Sequence, residues 1–477
     1  MHPSRRYFLQ RAAAWSAGFA GLRSALADVP AGVSLLAGSG AGYGPLWPDQ
    51  HGLVDLPAGF TATPCSAAGD TMSDGLLVPG KHDGMGAFPG RDGLTILIRN
   101  HEISPGHRTI GPFDAIDEHA AGSIDTGRIY DIGSTTGPYA GPSRGGCTSL
   151  IFDTRADGGR GALLQDALVL VGCEHNCAGG ITPRQTWISC EESIVGPDDD
   201  LGRLKSHGWC FEVPATMEPT LVEPRPIEPM GRFNHEAVAV DPASGIIYMT
   251  EDRQDGAIWR FIPDDPDRLH EGGLLQALAI KDRPKSDLRN WDDGRSITPG
   301  TRLPTEWITL DEVHAPDDSL RYRAFERGAA RFARGEGMWH GDGCVHFACT
   351  TGGRSHHGQL WRYTPASSDI EGQGPDRSGG GALELFIEPN DPSVIEHADN
   401  ITVAPWGDLI VCEDGLEAQF LLGVTPQGKI YKLAHNRLNH SEFAGATFSP
   451  DGRTLFVNIQ NPGVTLAITG PWRQRQA

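Results

Sequence analysis

Cys177, Glu236, Glu336 and Asp399 each head a stretch with one pattern: a ligand-type residue, an apolar run, a turn and a second apolar run. The second run ends 14 or 15 residues after the head in every case, and in three stretches it ends on an acid, Glu191, Glu251 or Glu413. A fifth stretch, Ala444 to Ile459, keeps the pattern without a ligand-type head. In four of the five a proline follows the head by six positions: Pro183, Pro242, Pro405 and Pro450. A thiol and three carboxylates brought to one point would repel one another unless cations held them. The common spacing therefore predicts a shared metal centre, with the acids at the strand ends as further donors. An isolated acid at a strand end is otherwise ordinary solvated surface.

The elements that must position these residues follow from the same stretches. Two apolar runs around a Pro/Asp/Gly turn read as strand, tight turn, strand. Equivalent positions of repeated β units converge when the units surround an axis. Residues 83–102 form another such unit, ending on Asn100-His101-Glu102, which adds Glu102 to the candidate donors. The units then lie at about 83–102, 177–192, 236–253, 336–353, 399–414 and 444–460. Further strands lie between them, Cys147–Thr154 with Ala167–Gly172, and third strands at Gly208–Val213, Ala257–Ile262, Gln359–Tyr363 and Lys429–Leu433. The expected fold is all-β, a six-bladed propeller formed by residues 28–477 as one domain. A β-sandwich would not set equivalent strand starts around one point, and a β-helix would show a shorter, stricter period. Two insertions are expected. Residues 263–335 read as Pro/Asp-rich loops and a helix from about Asp318 to Arg334, with Phe325, Ala329 and Phe332 on one face. Residues 364–382 read as a surface loop.

At the start of the chain, Ser4-Arg-Arg-Tyr-Phe-Leu9, an uncharged run from Ala12 to Leu22 and Ala25-Leu26-Ala27 form a twin-arginine export signal, residues 1–27, too short in its apolar part to span a bilayer. The expected partner is the twin-arginine export machinery and the expected location periplasmic or secreted. Cleavage after Ala27 moves the formal charge from −21 to −25. That surface disfavours nucleic acid and anionic lipid, and its acid richness suits calcium. Nine cysteines leave at least one unpaired by disulfides. Cys173 with Cys177, or Cys344 with Cys349, could pair, whereas Cys190, Cys349 and Cys412 sit at matching late strand positions as buried thiols. Cys177, at a head and beside Gly179-Gly180, reads as a ligand. No Gly-x-Ser-x-Gly elbow or phosphate-cradling Gly-rich loop appears, so a serine nucleophile has no support.

Taken as an ordered set, the export signal, Arg99-Asn-His-Glu102, Asn176-Cys-Ala-Gly-Gly180 with Thr182-Pro183, Gly231-Arg-Phe-Asn-His-Glu236, Arg334-Gly-Glu336 and Ala398-Asp-Asn-Ile401 resemble the PhoX-type alkaline phosphatases over nearly all of the mature chain. The resemblance implies a six-bladed propeller with ferric (Fe3+) and calcium (Ca2+) ions at its axis and hydrolysis of small phosphate monoesters outside the cytoplasm. Cys177, Glu236 and Glu336 resemble the iron ligands, Asp399 a further metal ligand and Arg334 the phosphate-contacting arginine. His101 and His235, each before a candidate acid, and Asn400 are expected to orient neighbouring donors by hydrogen bonds. The pattern departs at Arg184-Gln185, where the family often has Trp-Gly. Two other classes fit the sequence: a calcium-dependent propeller phytase or lactonase, needing no iron and no Cys177, and a non-catalytic propeller that binds through its rim.

Overall fold

The computed structural model describes residues 42–114, 124–292, 296–366 and 379–473. The export segment 1–27 and most of the loop expected at 364–382 lie outside the described residues. Among the described residues the regular elements are almost all strands, in a propeller-like arrangement of antiparallel sheets. Strands β1 (Leu46–Pro48), β2 (Val54–Pro57) and β3 (Thr61–Ala67) come first and serve as outer strands of sheets completed much later. The next sheet runs β4 (His82–Pro89), β5 (Thr95–His101), β6 (Gly145–Asp153) and β7 (Ala162–Cys173). A three-stranded sheet follows, β8 (Asn176–Ile181), β9 (Thr186–Glu191) and β10 (Cys210–Pro214).

The largest sheet has nine strands. Its first arm is β11 (His235–Val240), β12 (Ile247–Glu251), β13 (Ile258–Pro263), β14 (Gly273–Ile280) and β15 (Arg302–Leu310). Its second arm is β16 (Gly335–Gly341), β17 (Cys344–Cys349), β18 (Gln359–Pro365) and β19 (Gly381–Ile387), and the arms join where β15 pairs with β19. Then come β20 (Ala398–Val403), β21 (Leu409–Glu413), β22 (Phe420–Val424) and β23 (Ile430–Asn436), with β2 and β1 outside β23. The last sheet, β24 (Phe443–Phe448), β25 (Thr454–Ile459) and β26 (Val464–Thr469), is completed by β3. The first strand of each group packs on the next: β4 on β8, β8 on β11, β11 on β16, β16 on β20, β20 on β24, and β24 back on β4. The approach is tight enough that a Cβ on Gly84 would lie 2.5 Å from the Cα of Ala178. That is why Gly or Ala follows the head in β4, β8, β11, β16 and β24, with Asn400 the exception in β20.

Hairpin chemistry explains the strand pairs. At Ser449-Pro-Asp-Gly-Arg453, Asp451 accepts from the Ser449 hydroxyl and the Arg453 N–H, and Gly452 takes the left-handed conformation (φ 69°) that closes the turn. Between neighbouring sheets the core is aromatic and aliphatic. Trp187, Trp259 and Trp361 are fully buried, and truncating any one of them to alanine would cost about 3–5 kcal/mol. Among the described residues no helix is long and apolar enough to cross a membrane.

Three expectations are corrected. Residues 263–335 are not loop and helix alone, because they supply β14 and β15. The helix there, α1, covers only Leu320–Glu326. Gly328 (φ 112°) ends it, and residues 329–333 continue as extended chain bridged at Gly256 and Asp287. Phe332 is therefore buried between sheets and not on a helix face with Phe325. Lastly, Lys429–Leu433 belongs to β23, and β22 is the strand that pairs with β21.

Candidate metal centre

Each inner strand carries a register slip at its start. Two residues are skipped between the paired positions 82 and 85, 176 and 179, 235 and 238, 335 and 338, and 398 and 401. In β24 the slip comes at 445 and 446. A bulge of this kind re-aims side chains, and the first skipped residue in each of the five is Asp83, Cys177, Glu236, Glu336 or Asp399. The residue two places earlier takes the left-handed conformation in four cases: Lys81, His175, Arg334 and His397 (φ 51–56°). Its carbonyl accepts the N–H of the first residue past the paired strand. The pairs are Lys81 with Glu102, His175 with Glu192, Arg334 with Thr350 and His397 with Asp414, and Asn234 with Asp252 repeats the contact. Bulge and clip together turn two residues per unit toward the same end of the ring.

The result is a chain of overlapping donor groups, each with ligand atoms within 4.8 Å of one another: Asp83, Glu102 and Cys177; Glu102, His175 and Glu192; Cys177, Glu192 and Glu236; Glu236, Glu336 and Asp399; Asp399, Asp414 and Glu442. The structure thus brings together Cys177, Glu236, Glu336, Asp399 and Glu102, all of them expected from the sequence. The Cys177 thiol donates to Glu236 Oε1 at 3.1 Å, and Asn100 donates to the Cys177 and Ala178 carbonyls. The other oxygen of Glu236, Oε2, is buried with no hydrogen-bond partner among the described residues. Burial first, then repulsion from Glu336, raises the Glu236 carboxyl well above its ordinary range. Burial followed by the charge of Asp252 does the same to Glu336, burial and Glu102 to Asp83, and burial and Asp414 to Glu442. Asp414 itself rises to about 7 through burial and Asp399. Burial and Asp83 push up the Cys177 thiol. So many buried acids with one orphaned oxygen make a donor set that fits cations.

Cationic side chains rim one part of the ring. Burial opposes the charge on Glu102, but His175 (Nε2 2.6 Å from Glu102 Oε1) and Lys81 (3.1 Å) hold it down to about 2. The same pairing raises His175 to about 10 against its own burial. Arg334 donates through Nε and Nη2 to the two oxygens of Asp252 at 2.7 and 2.8 Å, and its Nη2 lies 2.7 Å from Glu336 Oε1. It does not follow a helix, contrary to expectation; the extended segment after α1 delivers it.

Glu191, Glu251 and Glu413 are displaced from the centre by one position. They occupy the paired positions of β9, β12 and β21, and their carboxylates turn away to hold backbone. Glu191 accepts from the N–H groups of Glu174, Gly208 and Trp209 and contacts His207 Nδ1 at 2.6 Å. Glu251 accepts from the Ala257 N–H and the Trp259 indole, and Glu413 from the Glu396 N–H. The residues that reach the ring are their successors Glu192, Asp252 and Asp414. His101 and His235 also differ from expectation, since neither touches a carboxylate. His101 bonds to the Gly80 carbonyl and to Thr148, while His235 bonds to the Gly231 carbonyl and stacks on Phe233. Asn400 behaves as expected, donating to Asp399 Oδ1 at 3.0 Å and accepting the Gly445 N–H. Sequence reasoning missed Asp83, His175, Glu192, Asp252, Asp414 and Glu442 as members of the site. All nine cysteines are free, so neither disulfide pairing forms, and Cys190 Sγ lies 3.7 Å from Cys210 Sγ.

Among curated proteins none matches this sequence. Solved structures that resemble it do so distantly. A gluconolactonase from Xanthomonas campestris shares 13% identity over 90% of this chain and 98% of its own, with a TM-score of 0.30. A Trichoderma reesei carbohydrate-active enzyme of family AA12 shares 9% over 88% and 98%, with a TM-score of 0.32. The model of the family described as alkaline phosphatase PhoX matches residues 41–463. With that match spanning nearly the whole chain, the protein belongs to the PhoX alkaline phosphatase family.

Proposed function

We propose that this protein is a metal-dependent phosphatase that hydrolyses small phosphate monoesters, working on a single six-bladed propeller. The closed ring of six inner strands supports the blade count, with the nine-stranded sheet read as two blades joined at their outer edges. The observation that carries the function is the cluster of buried acids and one thiol in a chain of this family. The all-oxygen groups of Glu236, Glu336 and Asp399, and of Asp399, Asp414 and Glu442, suit calcium, and the groups that include Cys177 suit ferric iron. Bound cations there would neutralise a phosphate dianion, stabilise the leaving oxygen and activate an oxygen nucleophile.

The chain's own residues do the rest. Asp252 and Glu336 orient the Arg334 guanidinium, which is part-exposed and offers its remaining N–H groups to phosphate oxygens. Asn400 fixes the rotamer of Asp399, and Asn100 fixes the backbone that carries Cys177. Lys81 and His175 add positive charge on the Glu102 side of the ring. The protein leaves the cytoplasm by the twin-arginine route, without a membrane anchor and without a nucleic-acid partner. The test is elemental analysis and hydrolysis of an aryl phosphate by protein exported along its native route. Calcium with iron and phosphate release is the expected result. Calcium without iron, or no release from metal-replete protein, would overturn the reading.

A further inference from the structure

Beyond the ring, residues 103–110 fold over its Glu102 side. The His175 N–H donates to the Ile103 carbonyl at 3.1 Å, the Gly80 N–H donates to the Ile110 carbonyl at 2.8 Å, and the His107 ring lies 6.0 Å from that of His175. The segment presses so closely on Gly80 that a Cβ there would sit 1.9 Å from Thr109 Oγ1. Arg144 braces the segment, donating to the Thr109 carbonyl at 2.7 Å and to the His107 carbonyl at 3.4 Å, and its charge is met by Asp114. Arg203, nearby, is met by Glu174 at 2.8 Å.

Arg108 is different. It is exposed and makes no hydrogen bond or ion pair among the described residues. It lines a cavity of about 630 Å³ together with His107, Thr109, Arg144, Pro462 and Asp114, whose carboxylate is already taken up by Arg144. It also lines a second cavity of about 310 Å³ with Tyr139, Arg144, Arg203 and Glu174, the last already paired with Arg203. In a chain of formal charge −21, Arg108 stands without an acid partner among the described residues, on a braced segment whose His107 ring faces His175. A guanidinium presents a planar fork suited to carboxylate or phosphate oxygens. A cavity of several hundred cubic ångströms holds the distal part of a small metabolite.

We propose that Arg108 binds a second anionic group on the substrate, so that the enzyme favours phosphate monoesters carrying a further carboxylate or phosphate. This rests on the phosphatase reading, with the reacting phosphoryl group at the ring and the second anion in the Arg108 cavity. Arg108 is thus a specificity-determining residue. The test uses two substrates of nearly equal size, 3-phosphoglycerate and glycerol 3-phosphate, which differ in a carboxylate against a hydroxymethyl group. Phosphate release by the metal-replete wild type is compared with Arg108→Ala and Arg108→Glu. For 3-phosphoglycerate, kcat/KM is expected to fall about tenfold in Arg108→Ala and further in Arg108→Glu, and for glycerol 3-phosphate to stay within about twofold in Arg108→Ala. Since Arg108 is exposed and unbonded, the melting temperatures should match, and this is checked on the same samples. Equal losses on both substrates, or no loss on either, overturn the assignment while leaving the phosphatase reading intact. A wild type that releases phosphate from neither, while hydrolysing an aryl phosphate, overturns this inference alone; one that hydrolyses none of the three removes the phosphatase reading and this inference with it.

Discussion

Replacing Arg334 by lysine separates an arginine that works on phosphate from one that only pairs with acids. In the structure its Nε and Nη2 meet both oxygens of Asp252, and Nη2 also reaches Glu336 Oε1. Glu336 is the main reason that its charge is held so firmly. A lysine ammonium keeps the charge but can occupy only one of these positions at a time. Losing one charge-assisted bond would cost about 1.5–3 kcal/mol if fully buried. The side chain is 31% exposed, so screening brings the expected loss of stability to the lower end, about 1–2 kcal/mol. Turnover should fall much further, since a preorganised donor to transition-state oxygens is worth about 10²–10³ in kcat. Steady-state kinetics on an aryl phosphate, with metal content and melting temperature from the same sample, measures both. Asp252→Asn is the companion variant. It leaves Arg334 charged but weakens the clamp, so an intermediate loss of about tenfold is expected. If Arg334→Lys changes kcat by less than about threefold with metals retained, Arg334 is an ion-pair residue and the reasoning fails.

Three further outcomes are expected. Glu192→Gln should lower bound metal with little loss of fold, whereas Glu191→Gln should keep metal and destabilise by about 1–3 kcal/mol through its backbone contacts; elemental analysis and thermal melts of the pair decide whether the one-position shift is real. Chelation should lower the melting temperature, more at pH 8 than at pH 5. Asp414 holds its proton to about 7 when folded but ionises near 4 when unfolded, so the metal-free protein loses stability as pH rises through that window, and cations restore it; equal chelator effects at both pH values would contradict this. His207, lodged between Glu191 and Asp131, is desolvated, but those acids lift it to about 9. Its contribution is complete below its unfolded value near 6.5 and is lost as pH rises through 9, so melts of His207→Gln should show a flatter slope over pH 6.5–9 than wild type.

How far the site can be read from sequence depends on the phase of the bulge. The spacing from Cys177, Glu236, Glu336 and Asp399 to their strand ends was visible, and so was the convergence it implies. Which of two adjacent acids faces the centre was not. Glu191-Glu192, Glu251-Asp252 and Glu413-Asp414 are indistinguishable by type, and only the clip from residue 192, 252 or 414 back to the head segment chooses the second. Glu102 came out in the correct phase because His101 fills the paired position in its unit. Asp83 escaped notice as a donor because its unit runs 19 positions to Glu102, longer than the others. Glu442 sits two places before an empty head, at the position of Lys81 and Arg334, so a search confined to heads could not find it. The helix over 318–334 failed for a different reason. Its apolar spacing was real, but Gly328 ended the helix after two turns and sheet contacts took the apolar residues that remained.

The pairing of β3 with β26 bears on the order in which the molecule can assemble. Thr61 and Thr469, 408 positions apart, face each other across that seam. Ring closure of this span is entropically slow, and contacts so distant in sequence place the chain among slow folders. A nascent chain stopped just before Val464 would already contain every donor from Asp83 to Glu442, yet β3 would have no strand to join. The inner strands β24 and β4 could already pack, but the last sheet would lack its two outer strands until β26 is made. The outer seam is therefore the last part of the fold to form, although every candidate donor lies before it in the sequence.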